Sequence, residues 1–152
     1  MYLAVVVTFM LVLPLGSIGL SLAATGATLS AALVAKWFVI WSVGARLSLA
    51  GFRQIIQPRY TAQVILSLEH EESHLLVREL GFANLALGIA GLACWLFPAW
   101  VPAVALAGAI FYCLAGFNHL VQPHRGKLES IAMVSDLFVG LVFATAFVGA
   151  IE

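Results

Sequence analysis

The sequence predicts an all-α integral membrane protein: a single domain over residues 1–152, built as a bundle of five transmembrane helices with a short interfacial segment after helix two. Of the 152 residues, 63% are hydrophobic and only 9% charged, and the mean hydropathy is +1.08. A soluble domain has nowhere to bury that much apolar surface. Five segments reach the ~20 apolar residues needed to cross a bilayer core, at approximately 2–23, 32–52, 76–97, 102–121 and 130–151. Pro58, Pro98, Pro102 and Pro123 fall between these spans or at their edges, where a missing N–H costs least.

The first segment has no Lys/Arg-bearing leader and is too long for the apolar stretch of a signal peptide, although Ser21-Leu22-Ala23-Ala24 loosely imitates a cleavage site. It reads as a retained helix, kinked at Pro14. Helix two carries Arg46. The connector from Phe52 to His74 is mixed: after Pro58, the run Tyr60 to Leu68 suits a short helix lying along the headgroups, with a plain amphipathic loop as the alternative. In helix three, Gly81, Asn84, Gly88 and Gly91 share a small-residue face, whereas Glu79 lies about 140° around from Asn84. In helix four, Gly108, Tyr112 and His119 share a face, with Ala115 and Gly116 beside it. Helix five carries Asp136.

Basic residues orient the bundle. Arg53, Arg59, Arg125 and Lys127 occupy the connections after helices two and four, while those after helices one and three have no Lys or Arg and only Lys36 lies near that face. This predicts a multi-pass protein of the bacterial inner membrane with a cytoplasmic N-terminus and a periplasmic C-terminus. Trp37, Trp41, Trp95 and Trp100 then form one aromatic belt at the outer interface. The 7 Lys+Arg against 7 Asp+Glu include no basic run of the kind nucleic acid needs, so no nucleic-acid partner is expected. Cys94 and Cys113 should differ by about 10 Å in depth at ~1.5 Å per residue, and are expected to be free thiols.

Polar residues within the apolar helices mark a site. At ~1.5 Å per residue, Glu79 and His119 lie about 5 Å from the inner ends of their helices, and Arg46, Asn84 and Asp136 about 10 Å. Isolated ionisable groups are expensive there, so the residues are expected to meet in the cytoplasmic half of the bundle. The candidate ligand-binding set is Arg46, Glu79, Asn84, Tyr112, His119 and Asp136, with Arg46 as counter-charge. Any acid–base chemistry would fall to Glu79, His119 and Asp136. A purely structural network joining the helices is the competing interpretation.

His70-Glu71-Glu72-Ser73-His74 satisfies H-E-x-x-H, whose histidines at i and i+4 of a helix can ligate zinc with the glutamate as base. His70, His74 and Glu79 would be the metal ligands. The stretch looks interfacial and solvated, and helical phase swings Glu79 about 140° away from His74. The match is therefore expected to be chemically idle. Four histidines in all are too few for a His-box di-iron site.

Ser42-Val43-Gly44, Ala50-Gly51 with Gln54 and Pro58, Glu79-Leu80-Gly81-Phe82-Ala83-Asn84-Leu85 with Gly88, Gly116 with His119, and Ser135-Asp136 together resemble a family of small bacterial membrane proteins of unknown function, distantly like the DoxX-type four-helix proteins. The resemblance covers about residues 35–140, and its most specific part is the E-x-G-x-A-N stretch. The family pattern has a glycine–histidine pair before the Pro58 position, where this chain has Gln54, and glutamine where Arg46 stands. It does not include the H-E-x-x-H match. The resemblance implies the helical bundle and a matched polar set of Glu79, Asn84, His119 and Asp136, and no established activity or cofactor.

The leading expectation is a binding protein for a small amphipathic or lipid-like ligand, its polar end meeting Glu79, His119 and Asp136 and its tail held by apolar walls. Membrane lipid is the expected surrounding partner. Two other classes stay open: an intramembrane acid–base enzyme on a lipid- or sterol-like substrate, and a structural or accessory subunit whose small-residue faces dock on a second copy or on a membrane complex. A zinc hydrolase ranks behind these. Without an inverted repeat or paired broken helices, a transporter is not favoured.

Overall fold

A computed structural model describes residues 2–66 and 68–149. It is all helical, with no strand among the described residues, and five helices are long and apolar enough to cross a membrane. They are α1 (Tyr2–Thr25), α2 (Ala31–Ile56), α3 (Ser73–Ala93), α4 (Pro98–Val121) and α5 (Lys127–Val148). The protein is a multi-pass membrane protein. The predicted spans differ mainly at their ends: α2 runs four residues past 52, α3 starts at 73 rather than 76, and α5 starts at 127 rather than 130. Residues 150 and 151 of the predicted fifth span lie outside the described residues.

Local chemistry explains the boundaries. α1 stops at Gly26, whose φ of +64° is a left-handed conformation that glycine adopts without a Cβ penalty. Ser30 caps α2, its hydroxyl accepting from the Leu33 amide at 3.2 Å. α4 opens through a 3-10 turn, Pro98–Trp100, with proline in the first turn where no N–H is needed. Its far end is capped by Arg125, whose Nη1 donates to the carbonyls of His119, Leu120 and Gln122 at 2.9, 2.5 and 3.1 Å.

Two helices widen partway. Pro14 removes a backbone donor from α1, and the preceding turn, Thr8–Val12, is π-helical, the Leu13 amide reaching back to the Thr8 carbonyl. The wide turn lies immediately before Pro14, where a kink is expected from the sequence. α2 is π-helical over Val39–Ala45. The two wide turns meet where the Ser42 hydroxyl donates to the Phe9 carbonyl at 3.3 Å. Farther along, the indole N–H groups of Trp41 and Trp37 donate to the hydroxyls of Ser17 and Ser21, each at 2.9 Å. One i,i+4 pair on α2 thus grips one i,i+4 pair on α1. Half of the expected aromatic belt is therefore interhelical bonding, while Trp95 and Trp100 are exposed.

The bundle is assembled from two hairpins, α2 with α3 and α4 with α5, and α1 lies along α2, its first turns also touching α5. Small residues set the spacing of the first hairpin. A methyl group at Gly88 would sit 2.5 Å from the Ser48 nitrogen, and one at Gly51 would sit 2.6 Å from the Gly81 carbonyl oxygen. Lipid offers no hydrophobic drive between helices, so such close backbone approach supplies the attraction through dispersion. The small-residue face of α3 is thus spent on α2 within the chain. The apolar core is dominated by Phe38, Val39, Val43, Tyr112, Val139 and Phe143.

Between α2 and α3 the chain forms a short helix, as expected after Pro58, but it is π-helical over Tyr60–Ile65 and stops short of Leu68. Ser67 of that run lies outside the described residues. Thr61 and Ala62 are buried, and the Arg53 guanidinium stacks 3.6 Å above the Tyr60 ring. This tucks the segment against the end of the bundle that carries the basic connections.

Candidate functional site

At that end of the bundle all five helices and the Tyr60–Ile65 segment surround one cavity of about 560 Å³. The first turn of α1 contributes Tyr2 and Val5, the last turns of α2 contribute Arg46 to Gln54, and α3 contributes Leu80 and Asn84. From α4 come Phe111, Tyr112, Ala115, Asn118 and His119, and from α5 Ala132 and Asp136. Five of the six residues predicted from sequence, Arg46, Asn84, Tyr112, His119 and Asp136, therefore line a single space.

Glu79 does not, and its expected place in the site is corrected. The face of α3 that carries Gly81, Asn84 and Gly88 is buried, so Glu79, about 140° around the helix from Asn84, projects from the exposed side. Equal depth in a membrane does not make two residues neighbours; they must also share an azimuth. The expected ion pair of Arg46 with a carboxylate is also absent among the described residues, where the single side-chain ion pair joins His119 to Glu129.

That pair was missed from sequence. The Nδ1 of His119 lies 3.0 Å from Oε1 of Glu129, both largely buried. Glu129 stands in the first turn of α5, where an acidic side chain also favours the positive end of the helix dipole. The available signal was its spacing: Glu129 is seven residues, two turns, before Asp136 and shares its face. Starting the span at 130 had placed it in a loop.

The other polar groups are held as follows. Asn84 is 4% exposed and donates from Nδ2 to Oε1 of Gln54 at 2.8 Å, while its Oδ1 is buried with no partner among the described residues. Arg46 reaches the Tyr2 hydroxyl from Nη2 at 3.5 Å, with the guanidinium 5.7 Å from the ring centroid; its Nε is buried and unpartnered among the described residues. The Tyr112 hydroxyl donates to the Ser42 carbonyl, so this residue anchors the wide turn of α2 and presents its ring to the cavity. Cavity walls between these groups are apolar: Val5, Leu47, Ala50, Leu80, Phe111 and Ala115. Leu49 and Leu80, 44% and 39% exposed, line the cavity and also show on the outside of the bundle.

The H-E-x-x-H residues do not make the helical pair their spacing suggests. α3 begins at Ser73, whose hydroxyl donates to the His70 carbonyl at 2.6 Å, so His70, Glu71 and Glu72 belong to the preceding turn and are exposed. No group of three or more metal-ligating side chains is found among the described residues. Cys94 and Cys113 are unpaired, one buried and one exposed.

The fold and cavity define a five-helix membrane protein with a mixed polar and apolar chamber at one end. The chain belongs to DUF6790, a family of unknown function, whose pattern it matches over residues 3–149. No curated protein and no solved structure matches it.

Proposed function

We propose that the protein binds a small amphipathic or lipid-like ligand in this chamber, within the cytoplasmic half of a bacterial inner-membrane bundle, and that the DoxX-type proteins are its distant relatives. The observation that carries the proposal is the composition of the cavity wall. Arg46, Asn84, His119 and Asp136 meet Val5, Leu47, Leu80 and Phe111 around one space of about 560 Å³, a size suited to a small ligand. A helix-joining network needs no such space; its members would satisfy one another. Leu49 and Leu80 line the cavity and are also partly exposed, so its apolar wall continues onto the outer surface of the bundle. The Tyr60–Ile65 segment covers the polar end from the cytoplasmic side, and Arg53 stacked on Tyr60 latches it.

A photoreactive diazirine fatty-acyl probe tests this in protein reconstituted in nanodiscs. Labelled peptides should map to cavity residues such as Leu47, Phe111 and Tyr112, and excess unlabelled amphiphile should suppress the labelling. Labelling spread evenly over the lipid-facing leucines would defeat the proposal.

One observation favours a second reading, an intramembrane acid–base enzyme on a lipid- or sterol-like substrate. The buried His119–Glu129 pair stands at the edge of the same cavity, two turns from Asp136, and a histidine oriented by a carboxylate is suited to moving protons. Mass analysis of bound amphiphile before and after prolonged incubation, with Glu129→Gln alongside, separates binding from conversion.

A further inference from the structure

We infer that a groove at the opposite end of the bundle, between the starts of α2 and α4 and the end of α5, binds one anionic phospholipid, whose phosphate pairs with Lys36 while an acyl chain lies along the groove. The chamber at the other end plays no part in it, and the two sites stand or fall separately.

The groove has a volume of about 350 Å³. Val101, Ala105, Phe143 and Ala146 form a buried apolar floor, and Leu106 and Phe147, both exposed, form the rim. It therefore opens on the outside of the bundle, along spans long and apolar enough to cross a membrane. The space exists because the facing helices present alanine there, Ala31, Ala32 and Ala35 on α2 and Ala105 and Ala109 on α4, where longer side chains would interlock. A hydrocarbon chain laid in it gives those walls the dispersion contacts that an unfilled space denies them.

Charge selects the occupant. Lys36 is the one polar side chain on the groove wall. It stands about 7–8 Å along the axis from Ala31, the first residue of α2, at ~1.5 Å per residue. Its Nζ is 5.2 Å from the centroid of the Trp37 ring, which is itself held by the Ser21 hydroxyl at 2.9 Å and by edge packing on Trp95. No carboxylate pairs with Lys36 among the described residues, and the connections 26–30 and 94–97 at this end carry no charge. An ammonium in that setting calls for an anion. A second copy docked here in the same membrane orientation would bring another Lys36 to this end, and no carboxylate among the described residues. A lipid phosphate lies where a lysine stem extended toward the interface can meet it. A zwitterionic head carries its own ammonium beside the phosphate, so a head of net negative charge complements Lys36 better.

Two photoreactive lipids test the site: phosphatidylglycerol and phosphatidylcholine with the same diazirine-bearing acyl chain, each at equal mole fraction in nanodiscs of unlabelled phosphatidylcholine. In the wild-type protein, peptides containing Leu106 and Phe147 should be labelled about fivefold more by the phosphatidylglycerol probe, as one basic side chain beside an anionic lipid head implies. Lys36→Gln should bring the two probes within about twofold of each other, and Lys36→Arg, which keeps the charge, should preserve the preference. Equal labelling by the two probes in the wild type, a preference unchanged in Lys36→Gln, or a preference that falls on peptides away from the groove overturns the site. So does a dimer, seen by native mass spectrometry of the same nanodiscs, whose groove peptides stay unlabelled, which would give this face to a second copy. The wild-type comparison needs no variant to fold.

Discussion

His119 on α4 and Glu129 on α5 face each other across the short connection between their helices, Nδ1 to Oε1 at 3.0 Å, with both side chains largely out of contact with solvent. The pair sits where α4 ends and α5 begins, so it fixes the geometry of that hairpin and one wall of the cavity at once. Arg125 works on the same joint from outside, holding the last carbonyls of α4. Glu129→Ala should therefore lower stability by about 1–3 kcal/mol, the usual cost of stranding a buried hydrogen-bonding group. His119→Ala should cost a similar amount, and the double variant less than the sum, because the second deletion removes a group the first has already stranded. Thermal unfolding of the four proteins in one detergent measures the coupling. Strict additivity would mean that the two side chains do not interact.

Close backbone contact between α2 and α3 makes a steric prediction. Gly88 faces the Ser48 backbone with no room for a methyl group, whereas Gly16 on α1 has nothing within 4 Å of where its Cβ would stand. Gly88→Ala should cost at least about 1–3 kcal/mol, since backbone cannot shift as a flexible side chain can. Gly16→Ala should be neutral or gain up to about 1 kcal/mol from helix propensity. Unfolding midpoints of the two variants, compared under one condition, check the contrast. Equal tolerance of both would show that the hairpin is looser than described.

Topology is decided by reporters. A fusion placed in the connection 122–126, next to Arg125, should report as cytoplasmic, and one after Glu152, outside the described residues, as periplasmic, because basic connections stay inside. Five spans require the two fusions to disagree. Agreement would remove a span or invert part of the bundle, and would move the cavity to a different leaflet.

Most of the fold was legible because membrane insertion leaves a strong one-dimensional record: apolar runs, prolines at their edges and basic residues on one side. Much of the candidate site was legible for the same reason, since polar groups in such runs stand out. Azimuth was the harder part. Glu79 and Asn84 were placed within about 5 Å of each other in depth at ~1.5 Å per residue, yet only the small-residue face of α3 turns inward, and nothing in depth alone says which face that is. Glu129 escaped for a different reason. An acidic residue beside Gly126 and Lys127 reads as a loop until the helix is known to start there. Tyr2 was hidden by distance along the chain, 44 residues from the Arg46 it meets.

The contrast between Glu79 and Asp136 gives the most discriminating prediction. Both are carboxylates in apolar helices, but Asp136 lines the cavity and Glu79 stands on the exposed side of α3. Asp136→Asn keeps the shape of the side chain, removes its charge, and leaves a chamber lined by Arg46 and Arg53 with no carboxylate among its lining residues. It should reduce binding of a polar-headed amphiphilic probe by about threefold to tenfold, the range expected for weakening one charge-assisted hydrogen bond. Glu79→Gln should leave that binding within about twofold of wild type, measured by native mass spectrometry from nanodiscs, because its exposed side chain does not line the chamber. If Glu79→Gln were the variant that lost binding and Asp136→Asn the one that kept it, the ligand would lie on the outer face of α3, and the enclosed cavity would not be the site.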